Sequence, residues 1–278
     1  VTTGPIAGGG RAATLRDPRQ AAIAALLVAL ALSAWAALAW WSAGPYARYV
    51  LHDGWASGAF VAELCRAIPA GGVVVPALLH AAAWVLMIAA MMLPTTLPLL
   101  SMFVRVAGGR GDAGALVALV LTGYAAAWLA FGLVAHLADE GLRTLAAGSP
   151  WLAAHGWAVG AAVLAAAGAF QFSDWKYRCL DRCRTPFGFV ASRWQGLAPR
   201  REALRLGVDH GLFCVGCCFA LMLVMFVVGT ASLAWMLGLA LAMAAEKNLP
   251  FGPRLRAPIG LALLAGAAAL ALPPLAAA

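Results

Sequence analysis

The sequence predicts an all-α, polytopic transmembrane helix bundle of about seven spans with its N-terminus in the cytoplasm. Three observations predict it. Of the 278 residues, 64% are apolar and only 11% charged, with a mean hydropathy of +0.87, whereas a soluble domain carries about 25% charged residues. So few charges cannot cover a protein surface in water, so lipid must be the solvent over much of it. The apolar residues are also gathered into runs of about 20, the length that crosses a bilayer core as a helix. The third observation is the unequal distribution of Lys and Arg between those runs.

The first span is 21–43, "AAIAALLVALALSAWAALAWWSA". A basic start before an apolar run resembles a secretory signal, but this run exceeds the ~7–15 residues of a signal core. An uncleaved helix is the better reading, with residues 1–20 a cytoplasmic tail and 21–278 one transmembrane domain. The second run extends from about 73 to 104, longer than one span needs, and Pro94 and Pro98 are expected to kink it. The third is 113–137 and the fourth 153–173. A polar stretch, 174–206, reads as an interfacial loop. Then come 207–228, 230–245 and the alanine-rich 257–275. Only "VGTAS" separates the fifth and sixth spans, so those two must form a tight antiparallel hairpin.

Sixteen of the nineteen Lys and Arg fall in the N-terminal tail or after the second, fourth and sixth spans. Only Arg48, Arg66 and Arg143 fall on the other side. The positive-inside rule then puts the N-terminus in the cytoplasm and, with seven spans, the C-terminus outside. The net charge of +8 is therefore topological, and no nucleic-acid partner is expected. The largest outside loop, 44–72, holds Trp55, Phe60, Pro45 and Pro69.

Six cysteines remain to be explained. Cys65 lies alone in that outside loop, while Cys179, Cys183, Cys214, Cys217 and Cys218 belong to the cytoplasmic half. Thiols stay reduced in that compartment, which disfavours disulfides and favours metal or redox chemistry. On a helical wheel from His210, Cys214 falls at about 40°, Cys217 at about 340°, Cys218 at about 80°, Met225 at about 60° and Met222 at about 120°. These soft or borderline donors share one face of the fifth span. Gly207 and Gly211 on the same helix form a small-xxx-small pair that lets a neighbouring helix approach.

Upstream, "QFSDWKYRCLDRCRTPFGF" (171–189) places Cys179 and Cys183 at i and i+4 of a short helix that Pro186 ends. Trp175 and Tyr177 suit the headgroup interface, and Arg178, Arg182 and Arg184 favour the thiolates that bind metal. The alternative is an interfacial amphipathic helix with two buried cysteines. On the second span His80, Trp84, Met87 and Met91 form a stripe, with Met92 further round. Methionines on a membrane helix are more often packing than ligands.

"AMMLPTTLPLL" (90–100), "CLDRCRTPFGF" (179–189), "GLFCVGCCFALMLVMFVVG" (211–229), "WM" (235–236) and "EK" (246–247) together resemble a bacterial family of uncharacterised integral membrane proteins described as predicted metal-binding. The resemblance covers about 80 to 247 and gives no support to the first 70 or last 30 residues. It implies a protein of the bacterial cytoplasmic (inner) membrane with a metal site and no established reaction. It also implies ligands at Cys179, Cys183, Cys214, Cys217 and Cys218, with Met91 and Met92 beside them. Phe219 stands where the family pattern has a tryptophan, which alters packing rather than ligands.

Donor softness selects the ion. Thiolates with thioethers favour Cu(I), while thiolates alone equally suit zinc or an iron–sulfur cluster. With His210 added to the cysteines and to Met91 and Met92, Cu(I) is favoured and zinc is the alternative. Three functions compete. The first is membrane binding of Cu(I) for transport or for delivery to a cuproprotein, with a copper chaperone as a partner. The second is a membrane thiol-disulfide oxidoreductase using Cys214 and Cys217. The third is an accessory subunit whose cysteines only pack. No nucleotide-binding loop and no carboxylate suited to an aspartyl-phosphate pump is present, so an ATPase is excluded and a binding role is favoured over an enzyme.

Overall fold

A computed structural model describes residues 18–44, 74–107, 110–229 and 232–276, and every regular element among them is helical. Most of the expected N-terminal tail and the outside loop with Cys65 lie outside the described residues. The first predicted span is α1 (Pro18–Ser42).

The second predicted span is broken. It comprises α2 (Val74–Met91), a 3-10 turn (Leu93–Thr96) and α3 (Leu97–Ala107), the two halves bent by 51°. Pro94 lies in the turn and Pro98 in the first turn of α3, where a missing N–H costs little. The carbonyls freed by the break are met by side chains. Thr95 Oγ1 donates to Met92 O and Thr96 Oγ1 to Leu93 O, both at 2.7 Å. The sequence expectation of a proline kink therefore holds.

α4 (Ala113–Gly148) runs past the predicted end at 137, because "LADEGLRTLAAG" is polar but contains no helix stop until its closing glycine. Asp139 and Arg143, one turn apart, pair at 2.7 Å along this extension. α5 (Pro150–Ala154) and α6 (Gly156–Phe170) follow, and α6 meets α7 (Asp174–Arg184) at a 64° bend. Ser173 caps α7 by accepting from Lys176 N, and Pro186 stops it and opens α8 (Pro186–Arg193). The stretch 174–206 is thus mostly helix. The short helix expected around Cys179 and Cys183 is α7.

α9 (Pro199–Val228) starts on a proline, and its Glu202 carboxylate accepts from the N–H groups of Gln195, Gly196 and Ala198 at 2.7–2.9 Å. It ends at Gly229, whose φ of 90° only glycine adopts without strain. α10 (Leu233–Asn248) is capped by Ser232, and a turn (Gly252–Leu255) leads into α11 (Arg256–Ala276).

Among the described residues four helices are long and apolar enough to cross a membrane, or six if each bent pair counts as one span. The expectation of seven included the helix now seen as α10. Its 16 residues rise only about 24 Å, short of the ~30 Å hydrocarbon core. The predicted hairpin between α9 and α10 is present in register. Lys247 lies fourteen residues beyond Leu233 and Cys214 fourteen before Val228, about 21 Å of rise each, and the two side chains meet.

α4 and α9 form the most extensive helix pair. Glycines set their spacing: a Cβ on Gly207 would lie 2.0 Å from Val120 O, and one on Gly123 would lie 2.3 Å from Leu204 O. Gly211 packs the same way on Ala127, so the small-xxx-small pair read from the sequence faces α4. Gly207→Ala must therefore push two backbones apart, at a cost of about 1–3 kcal/mol or more. We expect it to lower the thermal midpoint in detergent by several degrees. Gly141→Ala on exposed helix surface, where nothing lies within 4 Å, should hold the midpoint or raise it slightly, since alanine favours a helix over glycine by about 1 kcal/mol.

Candidate metal centre

Three cysteines of α9 and one of α7 face one another in the core. Cys214, Cys217 and Cys218 are 0–1% exposed. Cys217 Sγ lies 3.4 Å from Cys218 Sγ and 3.9 Å from Cys183 Sγ, and it donates to the Cys214 carbonyl at 3.2 Å. The thiols of Cys183, Cys217 and Cys218 are in turn the side-chain neighbours of Cys214. For comparison, two sulfurs about 2.3 Å from one tetrahedral ion stand about 3.8 Å apart.

Polar groups from two further helices close on Cys214. Lys247 Nζ of α10 approaches its sulfur to 2.8 Å, and Tyr124 Oη of α4 shares a 3.0 Å hydrogen bond with it. The same Lys247 nitrogen lies 3.3 Å from Thr95 Oγ1 and 3.8 Å from Met92 Sδ, both at the break after α2. Tyr124 Oη also reaches Met92 O at 3.4 Å. The break thus presents a carbonyl to Tyr124 and a hydroxyl and a thioether to Lys247, the two residues that contact Cys214. Irregular backbone at membrane depth is tolerated only where protein groups satisfy it in this way.

α7 holds the end of α10 in place. Lys176 and Glu246 form a fully buried ion pair of 2.7 Å. Arg184 donates to the carbonyls of Glu246, Lys247, Leu249 and Pro250, which satisfies the last turn of α10 and complements its dipole. The residues "C-x3-C-R" and "EK", distant in sequence, are therefore one interlocked unit that aims Lys247 at Cys214. One turn earlier on the same face of α7, Cys179 Sγ packs where a Cβ on Gly216 would lie, at 2.7 Å. Gly216 lets α7 lie against α9.

The structure brings together Cys183, Cys214, Cys217 and Cys218, and it places Met92 beside them across Lys247. It turns Cys179 to Gly216 and not into the thiol group. His210 stacks on Tyr124 at 5.8 Å and meets the edge of Phe189 at 5.7 Å, and its buried Nδ1 has no hydrogen-bond partner among the described residues. Met91 is buried in the same core as the thiols. Among the described residues no group of three or more His, Cys, Asp or Glu side chains is arranged to hold a metal ion as it stands.

In the sequence Thr95, Glu246 and Lys247 stand out only within blocks of the family resemblance, and no role at the site is read there for them, for Tyr124 or for Lys176. By position alone Lys176 and Lys247 read as topological loop charges. The available signal was that an ionisable residue bordering an apolar run is a site candidate until shown otherwise. Nothing in the sequence marked Tyr124. The assembled set gathers soft sulfur donors and one cation where water does not reach, the donor chemistry that suits a soft ion.

Compared with known families, residues 81–270 match the family described as PpoB2, copper chaperone. The match starts where the motif resemblance does and continues beyond it through most of α11. No curated protein and no solved structure gives a match.

Proposed function

The chain belongs to the PpoB2 copper chaperone family, and within it we propose that this protein holds Cu(I) inside the membrane on the thiols of Cys183, Cys214, Cys217 and Cys218 and passes it to a cuproprotein. The observation that carries this reading is the contact of Lys247 Nζ with Cys214 Sγ at 2.8 Å inside a cluster of sulfurs 3.4 and 3.9 Å apart. Copper binds thiolate, not thiol. Two thiolates with one Cu(I) carry a single negative charge, and Lys247 supplies the balancing positive charge where water cannot.

Cu(I) suits the donors better than zinc does. Soft thiolate and thioether ligands select it, and two sulfurs suffice for it, whereas structural zinc takes four ligands. Met92 and His210 stand at the margin of the cluster as a thioether and an imidazole that a moving ion can meet next. The oxidoreductase reading loses support from burial: Cys214 and Cys217 are 0–1% exposed, whereas a thiol that exchanges with a partner protein must be accessible.

The ligand set is tested by separating the two cysteines of α7. Cys183→Ser is expected to weaken Cu(I) binding at least ~10-fold, as loss of one soft ligand does, in competition with a Cu(I) chelator. Cys179→Ser, which alters a packing contact on Gly216, should bind as the native protein does. Equal loss in both would place Cys179 among the ligands. The orientation belongs to the same proposal, with the N-terminus and the segment 174–206 in the cytoplasm. A reporter fused after residue 195 should read cytoplasmic, and an extracytoplasmic reading would invert the bundle and point copper delivery the other way.

A further inference from the structure

Arginines crowd the start of α9. Arg200, Arg201 and Arg205 are exposed there, and two adjoining clefts open among them. Arg201 and Arg205 line one cleft with Arg193 of α8, and Arg200 and Arg201 line the other with Arg110, just before α4. Arg201 is common to both. Five arginines thus face three carboxylates, and each carboxylate is already engaged. Asp209 binds Arg193 at 2.6 Å and Asp112 binds Arg110 at 2.9 Å. Glu202 accepts from the loop N–H groups of Gln195, Gly196 and Ala198. The clefts therefore carry excess positive charge. Arg200 and Arg201 also stand in the first turn of α9, where the helix dipole is itself positive and favours anions. Helix stability alone would not place them there.

The depth of these residues says what kind of anion could meet them. α9 is long and apolar enough to cross a membrane. Its apolar part, 207–228, rises about 33 Å, close to the ~30 Å hydrocarbon core. Arg205, Arg201 and Arg200 then lie about 3, 9 and 10 Å beyond that core, from the headgroup layer to its water face. On a helical wheel from Arg200, Leu204 falls at about 40°, Val208 at about 80°, Arg201 at about 100°, Leu212 at about 120° and Arg205 at about 140°. One face of the helix therefore runs from guanidinium groups down to Leu204 and Leu212, which are 39% and 57% exposed. A free anion would use only the upper half of that face. A ligand with a charged head and an apolar tail matches all of it.

We infer that the clefts around Arg201 bind the phosphate headgroup of an anionic phospholipid, with its acyl chains lying along Leu204 and Leu212 of α9. Guanidinium groups suit phosphate because their planar fork meets its oxygens two at a time. The inference needs α9 in a membrane and uses no property of the thiols.

The whole chain in detergent, stripped of lipid, is titrated under native mass spectrometry with phosphatidylglycerol and with phosphatidylcholine. The native chain is expected to bind phosphatidylglycerol at least ~10-fold more tightly, and Arg200→Gln/Arg201→Gln/Arg205→Gln should lose that preference. Arg178→Gln/Arg182→Gln, which removes two exposed arginines of α7, should keep it. Equal binding of the two lipids by the native chain, or equal loss in both variants, would overturn the inference. Displacement of phosphatidylglycerol by inorganic phosphate at equal concentration would assign the clefts to a free anion and overturn it too. Displacement by an oligoglutamate peptide would do the same in favour of an acidic protein. If the triple variant does not fold, Arg201→Gln alone, at the residue common to both clefts, gives the same comparison.

Discussion

Cys214→Ser combined with Cys218→Ser is expected to take the protein from near-stoichiometric copper to below about 0.1 per chain, because hydroxyls do not replace thiolates for a soft ion. The two residues are chosen for their places. Cys214 is the sulfur that Lys247 and Tyr124 approach, at 2.8 and 3.0 Å. Cys218 lies 3.4 Å from Cys217, which also meets Cys183 of α7. Both are fully buried, and each added hydroxyl costs about 1–3 kcal/mol if it finds no partner. The paired Cys→Ala variant therefore accompanies it. Both pairs should elute as the native protein does on gel filtration and keep its helical circular dichroism. Copper content unchanged in a folded variant would remove the thiol site.

Lys247→Met should weaken Cu(I) binding about 10²–10³-fold while leaving the four cysteines in place. A unit charge about 4 Å from its partner is worth about 4 kcal/mol at an effective dielectric of 20, and part of that is recovered by relaxation of the pocket. Methionine preserves the length and apolar stem of the side chain, so α10 should still dock through Lys176–Glu246 and Arg184. The sign of the change is informative. Weaker binding means that Lys247 balances the charge of the bound ion. Tighter binding would mean that the lysine nitrogen competes with copper for Cys214, and no change would make it a packing residue.

Much of this architecture was legible because helical periodicity and sequence distance fix geometry within one helix. The common face of Cys214, Cys217 and Cys218, the i,i+4 pair of α7, the break at Pro94 and Pro98, and the close approach at Gly207 and Gly211 all follow from local rules. What crossed between helices was not legible. Cys179 and Cys183 share a face of α7, but Gly216 admits Cys179 to a packing niche while Cys183 reaches Cys217, a difference decided by the angle between two helices. Lys247 was read as a loop charge because the apolar run before it ends at 245, yet Arg184 carries α10 on to Asn248 and turns that lysine inward. Among the described residues the candidate spans reach six and not seven, since α10 continues the hairpin with only 16 residues.

The most direct test of a copper-holding thiol centre is elemental analysis of the native protein, purified in detergent under anaerobic, reducing conditions, with free thiols counted on the same sample. The account predicts copper at or near one or more ions per chain and at least two thiols shielded from alkylation until the copper is removed. A protein that carries no copper, takes up none when offered Cu(I), and shows the same thiol reactivity before and after would contradict it.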